Sequence, residues 1–136
     1  MVLEKNDSAL TKLMKPARLY LVLRLGNGKQ YFPWIHINDL CNIYLKAIRD
    51  QNMHGAYNAV GPEHINHNDF VTIMARVMRK PVFLPPVPAW ILRTVMGEMS
   101  DIMLKGSRVS AQKIINAGYS FRFDKLDEAL KNIIPG

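Results

Sequence analysis

The sequence predicts an α/β fold that is mostly helical, with a few short strands and no complete sheet of its own. Three observations lead there. Apolar residues recur at helical spacing in several separate segments, at 40–48, 70–78 and 126–134. The segments that read as strands, 31–37, 56–60 and 121–123, are short and have turn-forming residues at or near their ends. Strands so short and so far apart would leave open edges, which implies that a partner sheet lies outside this chain.

The first element is a short apolar pair, Val2 and Leu3, followed by a charged turn. Ser8 can start a helix that runs through Met14, and Pro16 is expected to interrupt it before the apolar run 19–23. Gly26-Asn27-Gly28 then supplies a tight turn, and 31–37 alternates bulky and smaller residues as a strand does. Asn38 or Asp39 can cap the helix that follows, whose stripe is Leu40, Ile43, Tyr44, Ala47 and Ile48.

AYNAV at 56–60 sits between Gly55 and Gly61-Pro62 and reads as a buried strand. Asn66 is an N-cap for a helix carrying Phe70, Ile73, Met74, Val77 and Met78, stopped by Pro81. A short strand at 82–84 precedes a proline-stiffened entry to a helix with Trp90, Ile91, Val95 and Met99. Ser110 can cap a short helix through Ile114 and Ile115 that closes at Gly118. Phe121 and Phe123 alternate as a small strand, and Leu126, Ala129, Leu130, Ile133 and Ile134 line the last helix, with Asp127 and Glu128 near its positive end. Met74, Met78, Met96, Met99 and Met103 fall in the helical stripes and read as core or cleft filler.

With 136 residues, 49% of them hydrophobic, the chain is long enough to bury a real core and is not a disordered tail. A formal charge of +7 favours anionic partners. The lysines and arginines are nevertheless scattered, without the compact block of a nucleic-acid arm, so nucleic acid is not the expected partner. Cys41 is the only cysteine, which excludes an internal disulfide and makes the cytoplasm the expected compartment. Glu4, Lys5, Asn6 and Asp7 stand where a secretory peptide would be apolar. Pro85, Pro86, Pro88 and Arg93 cut the apolar 81–96 region, which rules it out as a bilayer span.

Candidate chemistry gathers around the segment KQYFPWIHINDL at 29–40. Lys29 and Gln30 follow a glycine turn and can present a cation and an amide to an anionic ligand. Trp34 and His36 fall on one strand face, where an aromatic wall and an imidazole can shape a substrate pocket; a packed core with one hydrogen-bonded histidine is the favoured explanation of the pair. Asp39 is explained by helix capping. His54, His64 and His67 lack a cysteine or carboxylate at zinc-site spacing, so no metal is expected. No segment matches G-x-G-x-x-G, since Gly26 and Gly28 run into Lys29, Gln30 and Tyr31, and no tyrosine is followed four residues later by lysine.

Four stretches in this order carry a resemblance: GNGKQYFPWIHINDL at 26–40, GAYNAVGP at 55–62, the 81–99 region containing VPAWILRTVMGEM, and 106–130 with GSRV, KIINAGYSFRF and LDEAL. On these, residues 2–135 resemble the C-terminal part of NAD(P)-dependent epimerase/dehydratase family proteins, within the extended or atypical short-chain dehydrogenase/reductases. The subgroup of nucleoside-diphosphate-sugar epimerases with a C-terminal domain of unknown function is the most similar. The resemblance implies the substrate-side lobe of a Rossmann-fold enzyme, with the Rossmann core largely absent. Residues 1–85 would belong to the epimerase/dehydratase domain, with 56–60 as an edge strand, and 86–136 to the family-specific domain.

It further implies that NAD or NADP binds the intact protein on an N-terminal Rossmann domain, that the catalytic tyrosine and lysine precede this segment, and that this chain holds no catalytic or cofactor-binding residue. Met1 would be an internal starting point, and the chain alone would bind no cofactor and be inactive. Arg108 and Lys113 join Lys29, Gln30, Trp34 and His36 as substrate-binding candidates, because the resemblance puts them on the ligand-facing lobe. The expected partners are a small, anionic organic substrate, the missing Rossmann domain and, through apolar surface left uncovered, a second copy; no membrane is expected. The alternative is a binding or protein-interaction module without catalysis. The chain departs from the pattern in two places. Phe32 stands where sugar-nucleotide epimerases commonly place a diphosphate-holding arginine, and Tyr20, Val22, Leu23 and Arg24 replace a glycine-rich approach.

Overall fold

The computed structural model describes residues 1–5, 8–18, 27–81, 88, 90, 94 and 106–134. Their elements are β1 (Val2–Leu3), α1 (Ser8–Arg18), β2 (Ile35–His36), α2 (Ile37–Arg49), α3 (His67–Val77), α4 (Gln112–Asn116) and α5 (Leu126–Ile133). The described residues are thus mostly helical, with two short strands. These pair in parallel, Val2 opposite Ile35 and Leu3 opposite His36, with α1 in the crossover.

Alternation along β2 separates two clusters. Trp34 points into the larger one, with Leu3, Leu10, Phe70, Met74 and Leu130, where α3 packs against α5. Ile35 points the opposite way, into a smaller cluster with Ile43, Val60, Ala111 and Ile114. The segment around β2 therefore ties both halves of the core together.

Several helix ends follow local chemistry. Asn66 caps α3, its Oδ1 accepting from the Asp69 amide at 2.9 Å. The Ser110 hydroxyl accepts from the Gln112 amide at 3.1 Å as α4 begins, and Gly118, with φ +82°, follows its end. The start of α5 has no cap from its own flank; instead Glu63 Oε2 accepts from the Leu126 amide at 2.7 Å, from across the molecule.

The structure corrects six expectations. Pro16 does not end α1, which runs to Arg18: Leu10, Met14 and Ala17 bury one face in the core, and that burial offsets the hydrogen bond proline removes. The strand expected over 31–37 shrinks to Ile35–His36, and the cap of α2 is His36, not Asn38 or Asp39; its side chain accepts from the Asn38 amide. In α2 the inward face is Asp39 and Ile43, so Tyr44, Ala47 and Ile48 of the predicted stripe lie exposed. Residues 56–60 form no strand: the backbone bond beside β2 comes from the residue after them, Gly61 N–H to the Trp34 carbonyl at 2.6 Å, and one such bond is too little to start a ladder. Residues 121–123 likewise form no strand, because their amides turn to Asp39. The apolar run 19–23, the strand at 82–84 and most of the helix expected over 90–99 lie outside the described residues. No described helix is long and apolar enough to cross a membrane.

Candidate functional site

β2 and the loop before it position most of the sequence-predicted site residues, and they do so in two different ways. Trp34 and His36 project inward and are almost fully buried. The His36 ring stacks on Phe123 at 3.9 Å between centroids. Its Nδ1 accepts from the Asn38 amide at 3.1 Å, which places the proton on Nε2, 3.2 Å from Asn132 Oδ1. Burial, partly opposed by the Asn132 hydrogen bond, lowers the His36 pKa below the usual histidine value. Both ring nitrogens are thereby occupied by the fold. Trp34 Nε1 is buried without a hydrogen-bond partner.

Residues 27–32 wrap the N-terminus of α3. The Lys29 amide donates to Asn27 Oδ1 at 2.9 Å and leaves the Lys29 side chain exposed, while Gln30 is buried and its carbonyl accepts from the His67 amide at 2.9 Å. Gly28 adopts φ +68° and its carbonyl accepts from the Asn68 amide; a Cβ here would collide with the Asn68 side chain. Phe32 packs inward, 4.4 Å from Phe70 and edge-on to His67.

Arg108 lies on the opposite wall of a narrow cleft lined also by Tyr31, Glu63, His64 and Ile65. Its guanidinium stands 5.9 Å from the Tyr31 ring centre, and His64 meets the same ring edge-on at 6.5 Å. Backbone proximity makes this contact: a Cβ on Gly106 would collide with the Tyr31 backbone. Glu63, the acid of this cleft, is engaged by the Leu126 amide and Lys125, and no carboxylate pairs with Arg108 among the described residues. Lys113 sits elsewhere, in an open cleft of about 470 Å³ with Asp50 and Tyr57. Its ammonium donates to the Ala56 carbonyl at 2.6 Å and stands 4.2 Å from the Tyr57 ring. The six predicted site residues therefore fall into four places: the interior around β2, the α3 turn, and two separate surface clefts.

Sequence reasoning missed Asp39 as an anchor and Glu63 as a remote cap, because their partners lie far along the chain. The tyrosine facing Arg108 was also missed, since nothing periodic links positions 31 and 108. His54 and His64 are exposed and His67 is buried; no group of three or more metal-ligating side chains forms among the described residues.

The N-terminus of α3 does not offer a pyrophosphate site. A pyrophosphate needs free amides at a helix N-terminus behind a glycine turn. At α3 the amides of His67, Asn68 and Asp69 are taken by Gln30, Gly28 and Asn66, and Gly28 itself is filled by Asn68.

Residues 87–133 match a family described as a domain of unknown function, DUF1731. The mouse epimerase family protein SDR39U1 is 34% identical over 134 residues, and the alignment covers 98% of this chain but 45% of the relative. An epimerase family protein of Staphylococcus epidermidis is 35% identical over 134 residues, covering 98% of this chain and 44% of its own length. Human SDR39U1 (isoform 2), whose crystal structure was solved with NADPH, superposes with a TM-score of 0.90 at 32% identity over 97% of this chain and 45% of that one. The chain belongs to the epimerase family, as part of its C-terminal region. A nucleoside-diphosphate sugar epimerase from Corynebacterium glutamicum shares the fold at a TM-score of 0.69 and 24% identity, over 95% of this chain and 23% of its own. This epimerase family chain spans less than half the length of the curated relatives it matches.

Proposed function

We propose that this chain is the substrate-side lobe of an NADP-dependent epimerase, dehydratase or reductase and holds a small anionic organic substrate through Arg108. In this reading the cofactor and the catalytic tyrosine and lysine belong to the preceding half of the family fold, and the chain alone has no turnover. Residues 1–85 complete the catalytic domain and 86–136 form the family-specific domain, a division supported by the match that begins at residue 87. The NADPH in the human relative's structure supports NADP over NAD. The lone exposed thiol of Cys41 fits a reducing, cytoplasmic setting.

The observation that carries the reading is Arg108: an exposed guanidinium above Tyr31, without a carboxylate partner among the described residues, in a cleft whose own acid is already engaged. Such a group takes a carboxylate or a phosphate. Phe32, turned into the core against Phe70, supplies no cation for a diphosphate, which favours a substrate with a single anionic group.

The test is an amide NMR titration of the chain with inorganic phosphate and, separately, uridine diphosphate. Shifts centred on Tyr31, His64 and Arg108 that vanish in Arg108→Ala are expected. Titrations that leave those residues unmoved would remove the reading. Turnover of NADP or NADPH by the isolated chain would overturn its catalytic half.

A further inference from the structure

We infer that the outer face of α2, formed by Cys41, Tyr44, Leu45 and Ile48, is the surface on which the sheet-bearing half of the epimerase family fold docks. The inference rests on the proposed reading that such a half completes the enzyme. These positions follow at i, i+3, i+4 and i+7, so they share one face of the helix, opposite the buried Asp39 and Ile43. Tyr44 is 65% exposed, Leu45 44% and Ile48 79%, and Cys41 is exposed among them. No charged side chain interrupts the four. Isolated exposed apolar residues need no explanation, but a contiguous helical stripe of them marks an interaction surface.

What covers it follows from the strands beside it. Leu40, on the flank of this face, also lines an apolar cleft of about 330 Å³ together with Val2, Ile35, Tyr57, Val60 and Val109. The cleft lies along β1 and β2, which are parallel, two residues long and joined to no other strand among the described residues. Parallel strands occur in larger sheets covered on both faces, and a two-residue pair is not stable as a sheet alone. The open cleft and the bare helix therefore call for more parallel strands with their own covering helices. The relatives carry more than half their length beyond what this chain spans, enough for such a half, while this chain keeps the geometry of the human relative at a TM-score of 0.90. The occupant is that half, not an unrelated protein.

Cys41, the only cysteine of the chain, reports on this face directly. The experiment compares maleimide labelling of the Cys41 peptide, read by mass spectrometry, in the isolated chain and in a fusion carrying the N-terminal part of human SDR39U1 ahead of Met1. Labelling of Cys41 is expected to be fast in the isolated chain and at least about ten-fold slower in the fusion, since a covered thiol reacts only through opening. A Tyr44→Asp, Ile48→Asp double variant should leave melting of the isolated chain unchanged and remove the protection in the fusion. Equal labelling in a fusion that binds NADPH overturns the inference. Protection that rises with concentration in the isolated chain assigns the face to a second copy and overturns it too. If the fusion binds no NADPH, aspartates at the two aligned positions of the Staphylococcus epidermidis relative decide: lowered melting supports docking and unchanged melting overturns it. Ligand shifts at Arg108 are read separately, so a failure of the substrate reading is distinguishable from a failure of docking.

Discussion

The Tyr119 hydroxyl donates to Asp39 Oδ1 at 2.8 Å, joining the first turn of α2 to a segment 80 residues further on. Asp39 is completely buried, and its carboxylate also accepts from the amides of Arg122 at 2.8 Å and Phe123 at 3.0 Å. Burial first, then the Asp39 hydrogen bond and charge, hold the Tyr119 phenol well above its ordinary pKa, so it remains a donor at any working pH. Asp39→Ala strands all three donors and should cost about 3–5 kcal/mol, whereas Tyr119→Phe removes one bond to a charged acceptor and should cost about 1–2 kcal/mol. Urea unfolding of both variants checks this; equal costs would mean that the two amides find other partners.

Asn66 is the next test, because its Oδ1 is the local acceptor for the Asp69 amide at the start of α3. Asn66→Ala should destabilise by about 1 kcal/mol and Asn66→Asp by much less, since aspartate keeps the acceptor. Thermal melting separates the two, and an Ala variant that melts with the parent would show that the cap carries no weight.

Those two cases mark the line between what the sequence disclosed and what it hid. Asn66 and Ser110 act within three residues of themselves, so the Asn66 cap and the Ser110 bond to the Gln112 amide were readable from spacing, although the cap position of α4 is Ala111. Asp39, Glu63 and His36 act on partners 63 to 96 residues away, and no local pattern encodes such a choice. The α2 periodicity joined Ile43 with Tyr44, Ala47 and Ile48 in one stripe, but period alone does not say which of these sides meets the core, and only Ile43 does. Residues 56–60 have the composition of a strand, yet strand formation needs a neighbour, and the segment's bond to β2 is the single one made by Gly61 just beyond it. Of the candidate site, Arg108 was legible as a cation, whereas its pairing with Tyr31 arises only from the close approach at Gly106.

The end of α3 carries a correctable strain. Arg79 has φ 55°, while its amide donates to the Arg76 carbonyl and the Lys80 amide to the Ala75 carbonyl. This is the Schellman arrangement, in which the left-handed residue is ordinarily glycine. Arg79→Gly should raise stability by about 0.5–1 kcal/mol, the relief of the left-handed Cβ outweighing the extra freedom of the unfolded chain. A fall in melting temperature would show that the arginine side chain contributes more than its backbone costs.

His67 gives the fold a pH dependence whose sign is fixed by its surroundings. It is 1% exposed, neither ring nitrogen has a hydrogen-bond partner, and burial lowers its pKa from 6.5 to about 4. The unfolded chain therefore binds a proton between pH 6.5 and about 4 that the folded chain refuses. Stability from this group is complete above pH 6.5 and declines as pH falls, by about 3 kcal/mol once pH passes the folded value. His36, lowered chiefly by burial, adds in the same direction. His67→Met leaves the carboxylates and His36 titrating as before, so the difference between variant and parent isolates this ring. At neutral pH the methionine should be neutral to stabilising, by up to about 2 kcal/mol, because it buries no unpaired nitrogen. Its advantage should grow by about 2 kcal/mol at pH 5, measured by chemical unfolding across the range. A difference that stays flat from pH 7 to pH 4 would mean that His67 keeps a partner for its proton in the folded chain.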